Sequence, residues 1–165
     1  MAIVPLRFSY SHSMERDLRR LLPNGSFIGV PASRSKVMRA IKGTGNRTTE
    51  GRLRLALVRQ GVRGWKIRPD GLPGSPDFVF PKGRLAIFAD GCFWHGCERC
   101  NKARIQTNAA FWRAKMALNR AKDQRVVRAL QQAGWRVMRV WEHDLRDSLP
   151  KVVSRITKKL SSRAL

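Results

Sequence analysis

PGSPDFVFPKGRLAIFADGCFWHGCERC, residues 73–100, is the stretch whose reading decides the fold. Two apolar runs, FVF and LAIF, flank a turn of Pro81, Lys82 and Gly83. That pattern predicts a hairpin-like pair of strands over 77–80 and 85–88. Asp77 opens the first strand and Asp90 closes the second, so the short link can bring both acids to one end of the sheet. Carboxylates gathered this way suit a hard, oxygen-seeking cation such as magnesium, although aspartate at a strand edge is also an ordinary turn residue. His95 lies five residues beyond Asp90 and is a candidate base for drawing a proton from water; DNA contact or zinc ligation are its other readings.

The same stretch ends in Cys92, Cys97 and Cys100, spaced C-x4-C-x2-C. Three cysteines are the chain's whole complement, and an odd number leaves one over from any internal disulfide set. Three thiolates want a fourth ligand for tetrahedral zinc. His143 is preferred to His95, because a strand ending at Trp141 can return beside the loop; the alternative is three reduced cysteines packed in a core. Phe93 and Trp94 adjoin between glycines. They either pack inward or wedge between base pairs, and Phe111 and Trp112 form a second aromatic pair at the head of a basic segment.

Working outward, 48–61 reads as a helix, with Thr48 or Thr49 as its cap, Gly61 as its stop, and Leu53 and Leu57 on its buried face. Glu50 projects from that face. It is either a ligand or an acid favoured by the helix dipole. Residues 33–41, SRSKVMRAI, have helical spacing, and Arg34, Lys36, Met38 and Arg39 are candidate DNA contacts there. Residues 13–22 suggest a short basic helix ended by Pro23, Asn24 and Gly25, with a strand at 27–30. Another strand is expected at 65–68. After the cysteines, 109–133 reads as a long basic helix that carries Lys115 and ends at Gly134. A strand over 135–141 and a final helix capped by Ser148 complete an α/β sandwich with a mixed sheet.

The chain of 165 residues carries 34 Lys and Arg against 11 Asp and Glu, a net charge of +23. Such an excess resists compaction unless an anionic partner is near, and each phosphate neutralised releases counterions, so nucleic acid is the expected partner. The basic residues are spread over most segments, which disfavours a membrane-surface helix. No apolar run is long enough to span a bilayer and no secretory pattern opens the chain, so a cytoplasmic location is expected.

Taken in order, PGSPDFVF, AIFADGCFWHGCERC, NAAFWRAKMALNRAKD and GWRVMRVWEHDL resemble the very-short-patch repair (Vsr) endonucleases. SRSKVMRAI and the acid of TTEGRL resemble that family's N-terminal motifs. The resemblance covers about residues 33–160, so 1–32 is expected to be an extension and 33–165 the endonuclease domain. It implies a restriction-endonuclease-like fold, a variant of the PD-(D/E)xK nucleases. It also implies nicking of double-stranded DNA on the 5′ side of the thymine in a T·G mismatch, with catalytic magnesium and structural zinc.

By the same resemblance, Asp77 is the central magnesium aspartate and the Ala89 carbonyl helps to ligate the ion. Glu50 is the helix acid near the site, His95 the water-activating histidine, and Asp123 the acid that orients it. Phe93, Trp94 and Trp112 match intercalating aromatics, and Cys92, Cys97, Cys100 and His143 the zinc ligands. Asp90, also a candidate magnesium residue, stands where the best-known member has histidine. The usual lysine of the nuclease motif is absent, as in this family generally. Accessory mismatch-repair proteins fit such an enzyme as partners, and a monomer is expected. Two rival readings keep the charge and the sulfurs: a zinc-stabilised nucleic-acid-binding module without catalysis, and a nuclease of this fold with another DNA substrate.

Overall fold

The computed structural model describes residues 12–33, 36, 45–101 and 105–162. One mixed sheet holds β1 (Lys66–Ile67), β2 (Phe78–Phe80), β3 (Leu85–Asp90) and β4 (Arg136–Trp141), neighbours in that order. β1–β2 and β2–β3 are antiparallel, and β3–β4 is parallel. A parallel pair needs a long crossover. The long helix expected after the cysteines supplies it, spanning Ala109–Gln132. Gly134 ends this helix at φ +77°, a left-handed conformation that side chains resist.

Numbered in chain order, the helices are α1 (His12–Arg19), α2 (Arg52–Arg59), α3 (Glu98–Asn101), α4 (Ala109–Gln132), α5 (Glu142–Asp147) and α6 (Leu149–Ser161). Strand alternation sorts the sheet into two faces. Phe78, Phe80, Leu85, Ile87, Met138 and Val140 point to one side and bury against Leu53 and Leu57 of α2 and Val152, Val153 and Ile156 of α6. Ala86 and Phe88 point to the other, under Val126 and Leu130 of α4. Each fully buried Leu, Ile or Phe contributes roughly 1.5–3 kcal/mol, so this two-sided burial holds the sheet between its helices. Asp77, Asp90 and Arg139 take the parity of the α4 face, which therefore collects charge where β2 begins and β3 ends.

Several local expectations are revised. Residues 27–30 form no strand; Ile28 instead exchanges hydrogen bonds with the Asn108 side chain, its N–H to Oδ1 at 3.4 Å and its carbonyl from Nδ2 at 3.1 Å. The strand expected over 65–68 shortens to Lys66–Ile67, and Arg68 leaves it at φ +40°. Neither Thr48 nor Thr49 caps the second helix: Asn46 Oδ1 accepts from the Thr48 N–H at 2.9 Å and opens a π-type turn, Arg47–Gly51, that leads into α2. Ser148 makes no side-chain cap on α6, although its carbonyl accepts from the Val152 N–H. The helix expected over 33–41 lies outside the described residues except at Ser33 and Lys36, the latter exposed.

Gly74, at φ +73°, packs its backbone against α4 so closely that a Cβ would sit 2.4 Å from Val126 Cγ1. Gly74→Ala therefore combines overpacking of about 1–3 kcal/mol with about 1 kcal/mol of left-handed strain. At roughly 2–4 °C per kcal/mol for a chain of this size, a melting curve is expected to shift down by at least about 4 °C. An unchanged melting temperature would mean that this turn is not held against α4.

Candidate active site and metal centre

A cavity of about 460 Å³ opens on the α4 face at the ends of β2 and β3, lined by Glu50, Arg68, Asp77, His95, Asp123 and Arg139 among others. Each comes from a different local structure. Glu50 is delivered by the turn before α2, and Asp77 by the residue before β2. His95 comes from the cysteine loop, and Asp123 from the middle of α4.

Two acids meet at one side. Arg68 Nη2 donates to Glu50 Oε1 at 2.6 Å and to Asp77 Oδ1 at 2.7 Å, with Nε adding a 3.2 Å bond to the same Asp77 oxygen. Asp77 Oδ2 accepts from the Ala89 N–H at 2.8 Å. Glu50 also accepts from the Gly45 N–H through both oxygens, at 3.1 and 3.0 Å. Two carboxylates therefore already converge on a single cationic group, and the donors are all oxygen. That chemistry fits magnesium, which is bound through a few carboxylates plus water and substrate phosphate.

On the facing side, His95 Nδ1 lies 2.6 Å from Asp123 Oδ2. In the tautomer that carries its proton on Nδ1, the carboxylate accepts that proton and Nε2 keeps the lone pair. Arg139 braces this pair. Its Nε and Nη2 bind the two Asp90 oxygens at 2.5 and 2.6 Å, and Nη2 also reaches Asp123 Oδ2 at 3.1 Å. Burial lowers the Arg139 pKa, but bonding and charge from Asp90 and Asp123 outweigh it and hold the guanidinium above its ordinary value. Arg139 also lies over the Phe88 ring at 5.1 Å. Asp90 lines the same cavity; Arg139 donates to both its oxygens, and Oδ1 lies 3.8 Å from His95 Nε2.

The sequence reading missed Arg68 and Arg139. The signal for Arg139 was present: in RVMRVW, Met138 and Val140 alternate inward, which sends Arg139 to the other face, and the parallel register then sets it beside Phe88. Arg68 gave no such signal, because its aim depends on a left-handed backbone at the strand end.

Beyond the cavity lies the sulfur cluster. The Cys92, Cys97 and Cys100 sulfurs and the nearer His143 nitrogen all lie within 4.8 Å of one another. His143 Nδ1 stands 3.2 Å from Cys92 Sγ and 3.5 Å from each of the others. One nitrogen and three sulfurs at these spacings can hold a metal such as zinc. The other ring nitrogen, Nε2, lies 3.3 Å from Asp144 Oδ1, a partner of the kind that fixes a ligand's tautomer. Burial pushes the Cys92 thiol up to about 12 when no cation is present, so loading the cluster must release protons. Glu142 fastens the loop further, accepting from the Cys92 N–H at 3.2 Å and from Thr48 Oγ1 at 3.0 Å.

Pinned at both ends, the loop holds out Phe93, Trp94 and His95. Asn119 Nδ2 donates to the Trp94 carbonyl at 2.7 Å, which ties the tip to α4. Phe93, Trp94 and Trp112 contact one another edge-on at 5.1–5.9 Å between ring centroids, all three half-buried. Lys115, also half-buried, follows Trp112 one turn along α4. Of the other expected DNA contacts, Lys36 is exposed, and Arg34, Met38 and Arg39 lie outside the described residues.

Two carboxylates on one wall of the cavity, a buttressed imidazole on the other and a strongly basic chain fit a nuclease. The profile of the family described as DNA mismatch endonuclease Vsr matches residues 28–102. The DNA mismatch endonuclease Vsr of Escherichia coli K12 is 42% identical over 116 residues, covering 70% of this chain and 72% of that protein. The type II nicking enzyme V.NaeI of Lentzea aerocolonigenes is 41% identical over 127 residues, 74% of this chain and 75% of the relative. V.HpaIIP of Haemophilus parainfluenzae, another type II nicking enzyme, is 33% identical over 139 residues, 82% and 96% of the two chains. The chain belongs to the Vsr family of DNA mismatch endonucleases. Among the described residues, no helix is long and apolar enough to cross a membrane.

Proposed function

We propose that this protein nicks double-stranded DNA on the 5′ side of the thymine in a T·G mismatch, by magnesium-dependent hydrolysis. The observation that carries the reading is the pairing across one cavity: Asp77 and Glu50 on one wall, His95 backed by Asp123 on the other. Asp77, Glu50 and the main chain at Ala89 would hold the magnesium ion, which when bound supplies charge against the phosphoryl and leaving oxygens. His95 Nε2 takes a proton from the attacking water, and Asp123 steadies the imidazolium that results. Arg139 keeps Asp123 and Asp90 in place, so the imidazole is presented in one orientation. We infer a restriction-endonuclease-like fold from the same arrangement of acids at the end of a mixed sheet.

Phe93, Trp94 and Trp112 form a rigid aromatic wedge beside the cavity. Inserted between base steps, it opens the duplex most cheaply where pairing is already weak. The +23 charge supplies phosphate affinity without sequence preference, so selectivity must come from the wedge and the cavity. Zinc in the Cys92, Cys97, Cys100 and His143 cluster keeps both wedge and base in position.

Initial rates on a T·G duplex and its matched counterpart, with magnesium and with chelator, test this reading. Nicking of the T·G duplex is expected at least about 100-fold faster than of the matched one, an unpaired wedge step costing a few kcal/mol. Salt-sensitive binding with no magnesium-dependent nicking of any mismatch would instead show a binding module.

A further inference from the structure

Both oxygens of Asp77 are hydrogen-bonded in the free protein. Oδ2 accepts from the Ala89 N–H, which the β3–β4 ladder holds in register, and Oδ1 accepts twice from Arg68. A metal ion held by Asp77 and Glu50 together takes the place of Arg68 Nη2, which bridges Asp77 Oδ1 and Glu50 Oε1. The backbone N–H is fixed in the sheet, whereas the Arg68 guanidinium sits at the end of a flexible side chain that is 21% exposed. Two like charges cannot share Asp77 Oδ1 at bonding distance, so Arg68 is the donor that moves.

Its destination lies in the same cavity. Nε and Nη2 carry all of Arg68's bonds to the acids, and Nη1 has no partner among the described residues. A guanidinium grips phosphate oxygens with two parallel N–H groups, and such pairing is strong. We propose that Arg68 is the phosphate-binding residue of this site, parked on Glu50 and Asp77 until metal and DNA arrive together and then transferred to the phosphate at the cut. The inference rests on the magnesium nuclease reading above. It gives the acids a resident cation in the free protein, and so makes metal binding weak until DNA draws the guanidinium away.

Manganese binding to the DNA-free protein, followed by electron paramagnetic resonance, tests the parked state without any cleavage. Arg68→Gln is expected to bind manganese at least about tenfold more tightly than wild type, and Asp77→Asn in either background to abolish that binding. Arg68→Lys, which keeps the charge but loses the fork, is expected to stay near wild type in manganese affinity. With calcium in place of magnesium, the affinity of Arg68→Gln for a T·G duplex is expected to fall at least about tenfold. Equal manganese affinity in wild type and Arg68→Gln, with both proteins melting alike, would overturn the proposal. So would a T·G duplex affinity that Arg68→Gln leaves unchanged. Wild-type protein that binds manganese through Asp77 yet nicks nothing would overturn the nuclease reading alone.

Discussion

Asp77→Ala protein is expected to lose at least about 10³-fold of its nicking rate on a T·G duplex while its affinity for that duplex changes only a few-fold. Among the described residues, Asp77 is the one carboxylate with bonds to both Arg68 and the β3 backbone, which marks it as the seat for a cation. Removing such a seat takes away several kcal/mol of transition-state stabilisation, and about 4 kcal/mol corresponds to a thousandfold in rate. Binding should persist, because phosphate affinity comes from charge spread over the whole chain. Single-turnover rates beside gel-shift affinities separate the two effects. A nicking rate within tenfold of wild type would remove Asp77 from the chemistry.

Stripping the sulfur cluster is expected to cost about as much in stability as that change costs in rate. Cys97 is buried at 2% exposure, and the cluster joins the loop after β3 to α5 after β4. Structural zinc contributes on the order of 10 kcal/mol where it is the main source of folding energy; here a two-sided core shares the load, so about 3–5 kcal/mol is expected. At roughly 2–4 °C per kcal/mol, Cys97→Ser or exhaustive chelation should lower the melting temperature by about 6–20 °C. Added zinc should restore the chelated protein and not the variant. Activity should fall in step, since the loop that binds the metal also presents His95 and the wedge. A melting temperature unmoved by chelation, with no zinc found by elemental analysis, would make the cluster three reduced thiols in a core.

The sheet and the sulfur cluster were legible in the sequence, because both are local or strongly patterned. Phe78–Phe80 and Leu85–Asp90 announce themselves as apolar runs around a turn, and the cysteines lie within nine residues of sequence. His143 was reachable by elimination among three histidines and by the return of β4. Helix ends were less legible, since capping depends on which side chain turns back. Asn46, not a threonine, opens the turn before α2. The partner of Asp90 was hidden for a different reason: it arrives from β4, across a crossover of 24 helical residues. Arg68 shows the same limit more sharply. Its side chain matters because of one positive φ angle, and no periodicity encodes that.

Residues 1–32 were set aside as an extension, yet part of that stretch packs on the wedge. Leu18 and Leu22 bury against Phe111, and Phe27 stacks edge-on with Phe111 at 4.8 Å and lies 5.8 Å from Trp112. The N-terminal arm thus braces the first turns of α4, where the aromatics are presented.

The most direct test of the account is to map the break on T·G duplexes labelled in one strand at a time, with magnesium present and wild-type protein in excess. A single break in the thymine strand, on the 5′ side of the mismatched thymine, with the guanine strand intact, is the predicted result. Breaks in both strands, breaks at paired sites, or an intact duplex would contradict it.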